Sequence, residues 1–201
     1  MKAIHLHIIL LVLTFTTVPN AMAVEEAQYT LVEKDDIFEI RDYAPSIVAE
    51  TIVEGSLEDV GSEAFGRLFR YISGNNRPGT KIAMTAPVKQ EPEGQEIAMT
   101  APVTHQPAGG KWAVSFMMPA SFTMDSIPEP LDPAVKIRQV PAHRAVSIRY
   151  SGRWTEKNYA EHLQMLENWL EEHGEQAAGE PVWARYNAPF TPWFMRRNEI
   201  L

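Results

Sequence analysis

Two stretches of the chain share one hydrophobic rhythm. Phe38-Glu39-Ile40-Arg41 and Val135-Lys136-Ile137-Arg138 both alternate apolar with polar positions, and a shift of 97 residues superposes them, with Gly55 on Gly152, without a gap. Alternation of period two marks a half-buried strand. In each copy the first strand ends at a proline (Pro45; Pro141) and a second follows (Ile47 to Val53; Ala145 to Tyr150), leading to a glycine and a helical pattern. The first helix has Ser56 as N-cap with Glu58 and Asp59 in its opening turn, and it ends near Ser73-Gly74. The second starts near Thr155, carries Tyr159, Leu163, Leu166 and Leu170 on one stripe, and stops at Gly174. Two strand-like runs follow each helix. In the first copy these are Lys81 to Val88 or Ile97 to Val103, then Trp112 to Met118; in the second, Val182 to Tyr186 and Arg196 to Leu201.

The pattern predicts an α+β fold, a ββαββ unit present twice, over about residues 29–118 and 134–201. Such units bury their apolar surface by joining their sheets and laying the helices outside, which gives a distorted antiparallel β-barrel with two flanking helices. Residues 119–133, with Pro128, Pro130 and Pro133, read as an irregular linker within one domain spanning residues 24–201. A shorter repeat lies inside the first copy: Ile82-Ala83-Met84-Thr85-Ala86-Pro87-Val88 recurs fifteen residues later as Ile97 to Val103. Lys89 to Glu96 between them reads as a hairpin loop. Met84 and Met99 are expected as core or pocket-lining residues, since no third soft ligand for a metal stands nearby.

Composition narrows the possibilities. The chain has 201 residues, 45% of them hydrophobic, and no Cys, so disulfide scaffolds and thiol chemistry are excluded. With 18 basic against 26 acidic residues, the formal charge of −8 has the wrong sign for neutralising phosphates, and nucleic acid is not an expected partner. The largely apolar stretch Leu6 to Val18, preceded by Lys2 and followed by Ala21-Met22-Ala23, reads as a signal peptide of residues 1–23 cut after Ala23. It is too short to cross a hydrocarbon core of ~30 Å, so no stable membrane anchor is expected after cleavage. Export without Cys fits a periplasmic or secreted protein.

Five segments carry a specific resemblance. Phe38 to Pro45, Tyr71-Ile72-Ser73-Gly74-Asn75-Asn76, the Lys-Ile-Ala-Met-Thr-Ala-Pro-Val run at Lys81, Phe116-Met117-Met118-Pro119 and Arg196-Arg197-Asn198-Glu199-Ile200 occur in this order, and together they resemble the SOUL haem-binding protein family. The resemblance covers Tyr29 to Leu201. It implies a pseudo-twofold β-barrel with two helices, related also to bacterial effector-binding domains, that binds haem or another tetrapyrrole without a family-wide catalytic constellation.

The residues themselves point to a pocket. On the first helix Val60, Gly61, Ala64, Leu68 and Ile72 make a core stripe that Phe65 and Phe69 widen to about half the circumference. Either a loop covers these two rings or they line an apolar cleft for a flat ligand. The resemblance implies the cleft, formed by this helix and the loop Ala188 to Met195, which carries Phe190, Trp193, Phe194 and Met195 among prolines. The expected haem contacts are thus Phe65, Phe69, Trp193 and Phe194, with Arg70 meeting a propionate, and a small hydrophobic ligand or tetrapyrrole is the expected partner of a monomer. Two departures from the family stand out. Asp42 occupies the place where some relatives carry a His proposed as iron ligand, and Thr191 the place of a second propionate-facing base, so binding is expected to be non-covalent and largely independent of the metal.

His105, His143, His162 and His173 show no metal-binding spacing. His162, at the edge of the second helix's stripe, reads as structural, with axial ligation as the alternative. No nucleophile elbow, phosphate loop or zinc motif is present, and the chain is not expected to be an enzyme. The alternatives are an effector-binding module without chemistry and a cleft hydrolase using an inward carboxylate. Glu50, between Ala49 and Thr51, is the residue weighed for that base, against a solvated outward Glu.

Overall fold

The computed structural model describes residues 24–56, 60–78 and 94–201. The leader, Glu58 and Asp59, and the first Met-Thr-Ala-Pro run with Met84 lie outside them. In chain order the elements are β1 (Glu25–Glu26), β2 (Tyr29–Asp35), β3 (Phe38–Tyr43), β4 (Ser46–Val53), α1 (Val60–Ile72), β5 (Asn76–Arg77), β6 (Thr100–Ala101), β7 (Val103–Ala108) and β8 (Lys111–Met117). Then come β9 (Glu129–Pro130), β10 (Val135–Val140), β11 (His143–Tyr150), α2 (Glu156–His173), β12 (Trp183–Arg185), a 3-10 turn (Trp193–Met195) and β13 (Asn198–Ile200).

Nine strands form one curled antiparallel half-barrel, in the order β10-β4-β8-β7-β12-β13-β11-β3-β2, and the fold is α+β as the pattern predicts. The 97-residue shift lays β3 on β10 and β4 on β11 end to end. Gly55 and Gly152 share a left-handed backbone, with φ of 132° and 127°. β3 and β4 do not pair with each other across Pro45; β3 joins β11 and β4 joins β10, so each first strand crosses to the other half of the sheet. The two edge strands, β10 and β2, do not pair, so the distorted barrel is an open half-barrel. Strand β2 has no counterpart in the sequence reading, because all seven of its residues are exposed and carry no burial alternation.

Each helix covers its own half of the sheet. Ala64, Leu68, Tyr71 and Ile72 of α1 pack on Ala49, Val53, Val114, Phe116 and Val135, while Tyr159 and Leu166 of α2 pack on Ile148, Tyr150, Trp183 and Ile200. Thr155 caps α2 by accepting from Asn158 N, and Gly174 closes it at φ 69°, where only glycine is free of strain. The linker is less irregular than its prolines suggest: β9 pairs with β5, and Phe122 and Ile127 join the α1 core. Because successive strand residues alternate faces, the polar positions opposite the helices line the inside of the curl. Arg41, Ser115, Ser147 and Glu199 are buried there although the alternation marks that face as the wet one.

Candidate functional site

Phe65 and Phe69 are one turn apart on α1 and stack at 5.8 Å. Phe65 is half-buried, its ring edge-on to Phe116 at 5.3 Å, whereas Phe69 is 44% exposed. Arg70 is exposed and folds back towards Gly66, with no ion pair among the described residues. On the loop between β12 and β13, Trp193 and Phe194 meet edge to face at 5.6 Å. Their neighbours are open to solvent: Phe190 is 90% exposed, Phe194 61%, Met195 65% and Trp193 50%. The structure therefore places the five expected residues on two aromatic pairs and one cation that has no ion pair among the described residues. No ring of one pair touches a ring of the other among the described residues.

The loop is apolar but firmly built. Arg196 donates through Nε to the Thr191 carbonyl (2.8 Å) and through Nη2 to the Pro189 carbonyl (2.7 Å). Gly152 N donates to the Trp193 carbonyl at 3.0 Å, tying the loop to the start of α2. Thr191 N and Met195 N donate to Ala188 and Pro192, three residues back in each case. Thr191 thus serves the loop's own backbone.

Beside Trp193 lies a group that the sequence reading missed. Arg185 sits over Trp183 (4.1 Å) and Trp154 (4.8 Å), Arg196 over Trp154 (4.1 Å), and Arg153 over Trp193 (5.9 Å). Gly61, in the first turn of α1, leaves room for Arg185: a Cβ there would be 3.1 Å from Arg185 Nη1. The adjacency of Arg153 to Trp154, and the spacing of Trp183 and Arg185 two apart on one strand, were the only available signals.

The remaining candidates are occupied structurally. Asp42 pairs with Arg144 at 2.7 and 2.8 Å, and that hydrogen bond holds its carboxyl below the ordinary value. His162 lies face to face with Tyr150 at 3.9 Å, and its Nδ1 is 2.7 Å from the Asn158 carbonyl, which selects the Nδ1–H tautomer. Glu50 receives Ser115 Oγ (3.2 Å) and Arg138 Nη2 (2.8 Å) and projects from the face of β4 opposite α1, so it shares no cavity with Phe65. Among the described residues no cluster of three His, Asp or Glu could hold a metal.

A cleft of about 1070 Å³ opens elsewhere, lined by Ile40, Tyr43, Val48, Met117, Leu163 and Tyr186 among others. None of Phe65, Phe69, Arg70, Trp193 or Phe194 reaches it.

Known proteins give this geometry a context. Mouse (Mus musculus) heme-binding protein 1 is 27% identical over 150 residues, 74% of each chain. Among solved structures, the EcmrR C-terminal domain superposes with a TM-score of 0.58 at 12% identity, over 86% of this chain and 94% of that one. A hydrolase from Listeria innocua gives 0.53 at 10% identity, over 84% and 92%. At these identities the two structures show a shared fold alone. A model of the family described as SOUL heme-binding protein matches residues 24–201 from end to end, and the chain belongs to that family.

Proposed function

We propose that this chain binds haem or a related tetrapyrrole non-covalently, as a sequestering or carrying protein without catalysis. The family implies such a ligand. The observation that carries the reading is the loop: four large apolar side chains held in solvent by a hydrogen-bonded backbone, a surface that ordinarily marks a binding site. Phe65 and Phe69 supply a second apolar wall and Arg70 a cation for a propionate. Titration of the purified protein with haemin tests this. A saturable, near-stoichiometric shift of the Soret band with quenching of Trp fluorescence is expected; a nonsaturating response would remove the proposal.

A second reading places a small effector molecule in the 1070 Å³ cleft, and the size of that cleft favours it. Substitution at Met117 would then change ligand affinity while Trp193→Ala left it alone. A hydrolase working through Glu50 has less support, since Arg138 neutralises that carboxylate. We further propose an exported, monomeric protein cut after Ala23; the mass of the mature chain and its sedimentation would check both.

A further inference from the structure

Arg41, Arg67, Arg138, Arg144 and Arg197 each pair with a carboxylate. Arg153, Arg185 and Arg196 pair with none among the described residues, in a chain of formal charge −8. Each instead lies over a tryptophan. Arg196 spends its hydrogens on loop carbonyls, but Nε and Nη2 of Arg185, one edge of the guanidinium, are buried without an acceptor. Around them lie the indole of Trp183, the hydroxyl of Tyr150 and the ring of His105, none of which accepts from that edge of Arg185. Native proteins seldom leave such an edge unpaired. Guanidinium and indole can only donate, so the cluster holds more donors than acceptors and carries positive charge. Burial pulls Arg185 down to about 10, which leaves it charged at neutral pH. The missing complement is an anion, and a carboxylate fits the planar fork of an arginine in two-point fashion.

We propose that Arg185, with the exposed Arg153 beside Trp193 at the rim, is a seat for an acidic group that makes this aromatic surface select flat anionic ligands over neutral ones of the same shape. Applied to the natural ligand, this rests on the tetrapyrrole reading and assigns the propionate to Arg185 and Arg153 in addition to Arg70. Arg196 staples the loop that presents the rings.

Two matched pairs of probes separate the claims. 8-Anilino-1-naphthalenesulfonate and neutral N-phenyl-1-naphthylamine share a fluorescent ring system and differ in charge; protoporphyrin IX and its dimethyl ester do the same for the tetrapyrrole. The wild-type protein is expected to prefer the acidic member of each pair by about tenfold or more, as hydrogen bonds to charged groups allow. Arg185→Gln and Arg153→Gln should each remove most of that preference by weakening the acidic member much more than the neutral one, and Arg185→Lys should restore part of it. Melting curves verify folding, and the exposed Arg153 variant serves if Arg185→Gln does not fold. Equal affinity for both dyes in the wild type, or a preference untouched in both Gln variants, would overturn the seat. Failure of both porphyrins to bind, with the dye preference intact, would sink the tetrapyrrole reading and leave the seat standing.

Discussion

Arg41 and Glu199, 158 residues apart in the chain, meet in a buried two-point ion pair, with Nη1 2.6 Å from Oε2 and Nη2 3.2 Å from Oε1. The pair ties β3 to β13 across β11, inside the curl of the sheet. Tyr43, Tyr186, Glu39 and Arg197 occupy the remaining donors and acceptors. Removal of one partner leaves the other buried charge with its second partner only, Glu39 for Arg41 and Arg197 for Glu199, so Glu199→Met and Arg41→Met should each cost about 3 kcal/mol, the low end for a broken buried pair. The Arg41→Met/Glu199→Met double variant should cost clearly less than the sum. Urea unfolding of the four proteins measures this, and additive losses would show that the pair is not coupled.

Acid should act on the fold through two groups at different pH. Burial alone would raise the Glu199 carboxyl, but Arg41, Arg197 and Tyr186 outweigh it and hold it below the ordinary 4.5. Its stabilisation is present above that ordinary value and is lost as the pH falls through the folded one. His105 is 1% exposed, and burial, then the charge of Arg185, lower it from 6.5 to about 3. The unfolded chain takes up that proton below about 6.5 while the folded chain does not, so stability falls by up to about 1.4 kcal/mol per pH unit. Between pH 6.5 and 5, a His105→Gln variant should show a flatter stability curve than the wild type. Parallel curves in that window would clear His105 of the effect.

For the proposed haem site, Phe69→Ala and Trp193→Ala should each weaken binding by about 1–3 kcal/mol, the range for a lost aromatic wall. Iron-free protoporphyrin IX should bind within about tenfold of haem, because Asp42 is engaged by Arg144 and offers no imidazole. His162→Ala should leave the Soret maximum in place; a shifted maximum in that variant alone would identify an axial ligand.

Gly152→Ala should both destabilise the protein and loosen the loop. Its φ of 127° disfavours a side chain, and a Cβ would come within 2.6 Å of Asn158 Nδ2. The strain should cost about 1–3 kcal/mol. Since Gly152 N also holds the Trp193 carbonyl, quenching of Trp fluorescence by acrylamide should increase in the variant. Unchanged melting and quenching together would show that the turn tolerates a side chain.

Much of the architecture was legible in the sequence because local rules dominated there. Thr155 and Gly174 end α2 where capping chemistry dictates, and the strands at Phe38 and Ser46 follow their alternation. The pairing was not legible. Which strand lies beside β3 depends on how two distant halves dock, and nothing local in Phe38 to Tyr43 names β11. Curling also hid the meaning of polar positions: Arg41 occupies a nominally wet face that closes over Glu199. The aromatic half of the candidate site was visible as an over-wide helix stripe and an apolar loop. Of its cations only Arg70 was named there, because Arg153, Arg185 and Arg196 are scattered along the chain and converge only through three tryptophans.

The stapling of the loop by Arg196 has a kinetic meaning. Its backbone is already fixed by the Pro189, Thr191 and Trp193 carbonyls, so the entropy of ordering it is spent during folding and not on ligand encounter. A surface made in advance captures its ligand at a rate close to that of collision, and differences in affinity among ligands then reside in how long each stays.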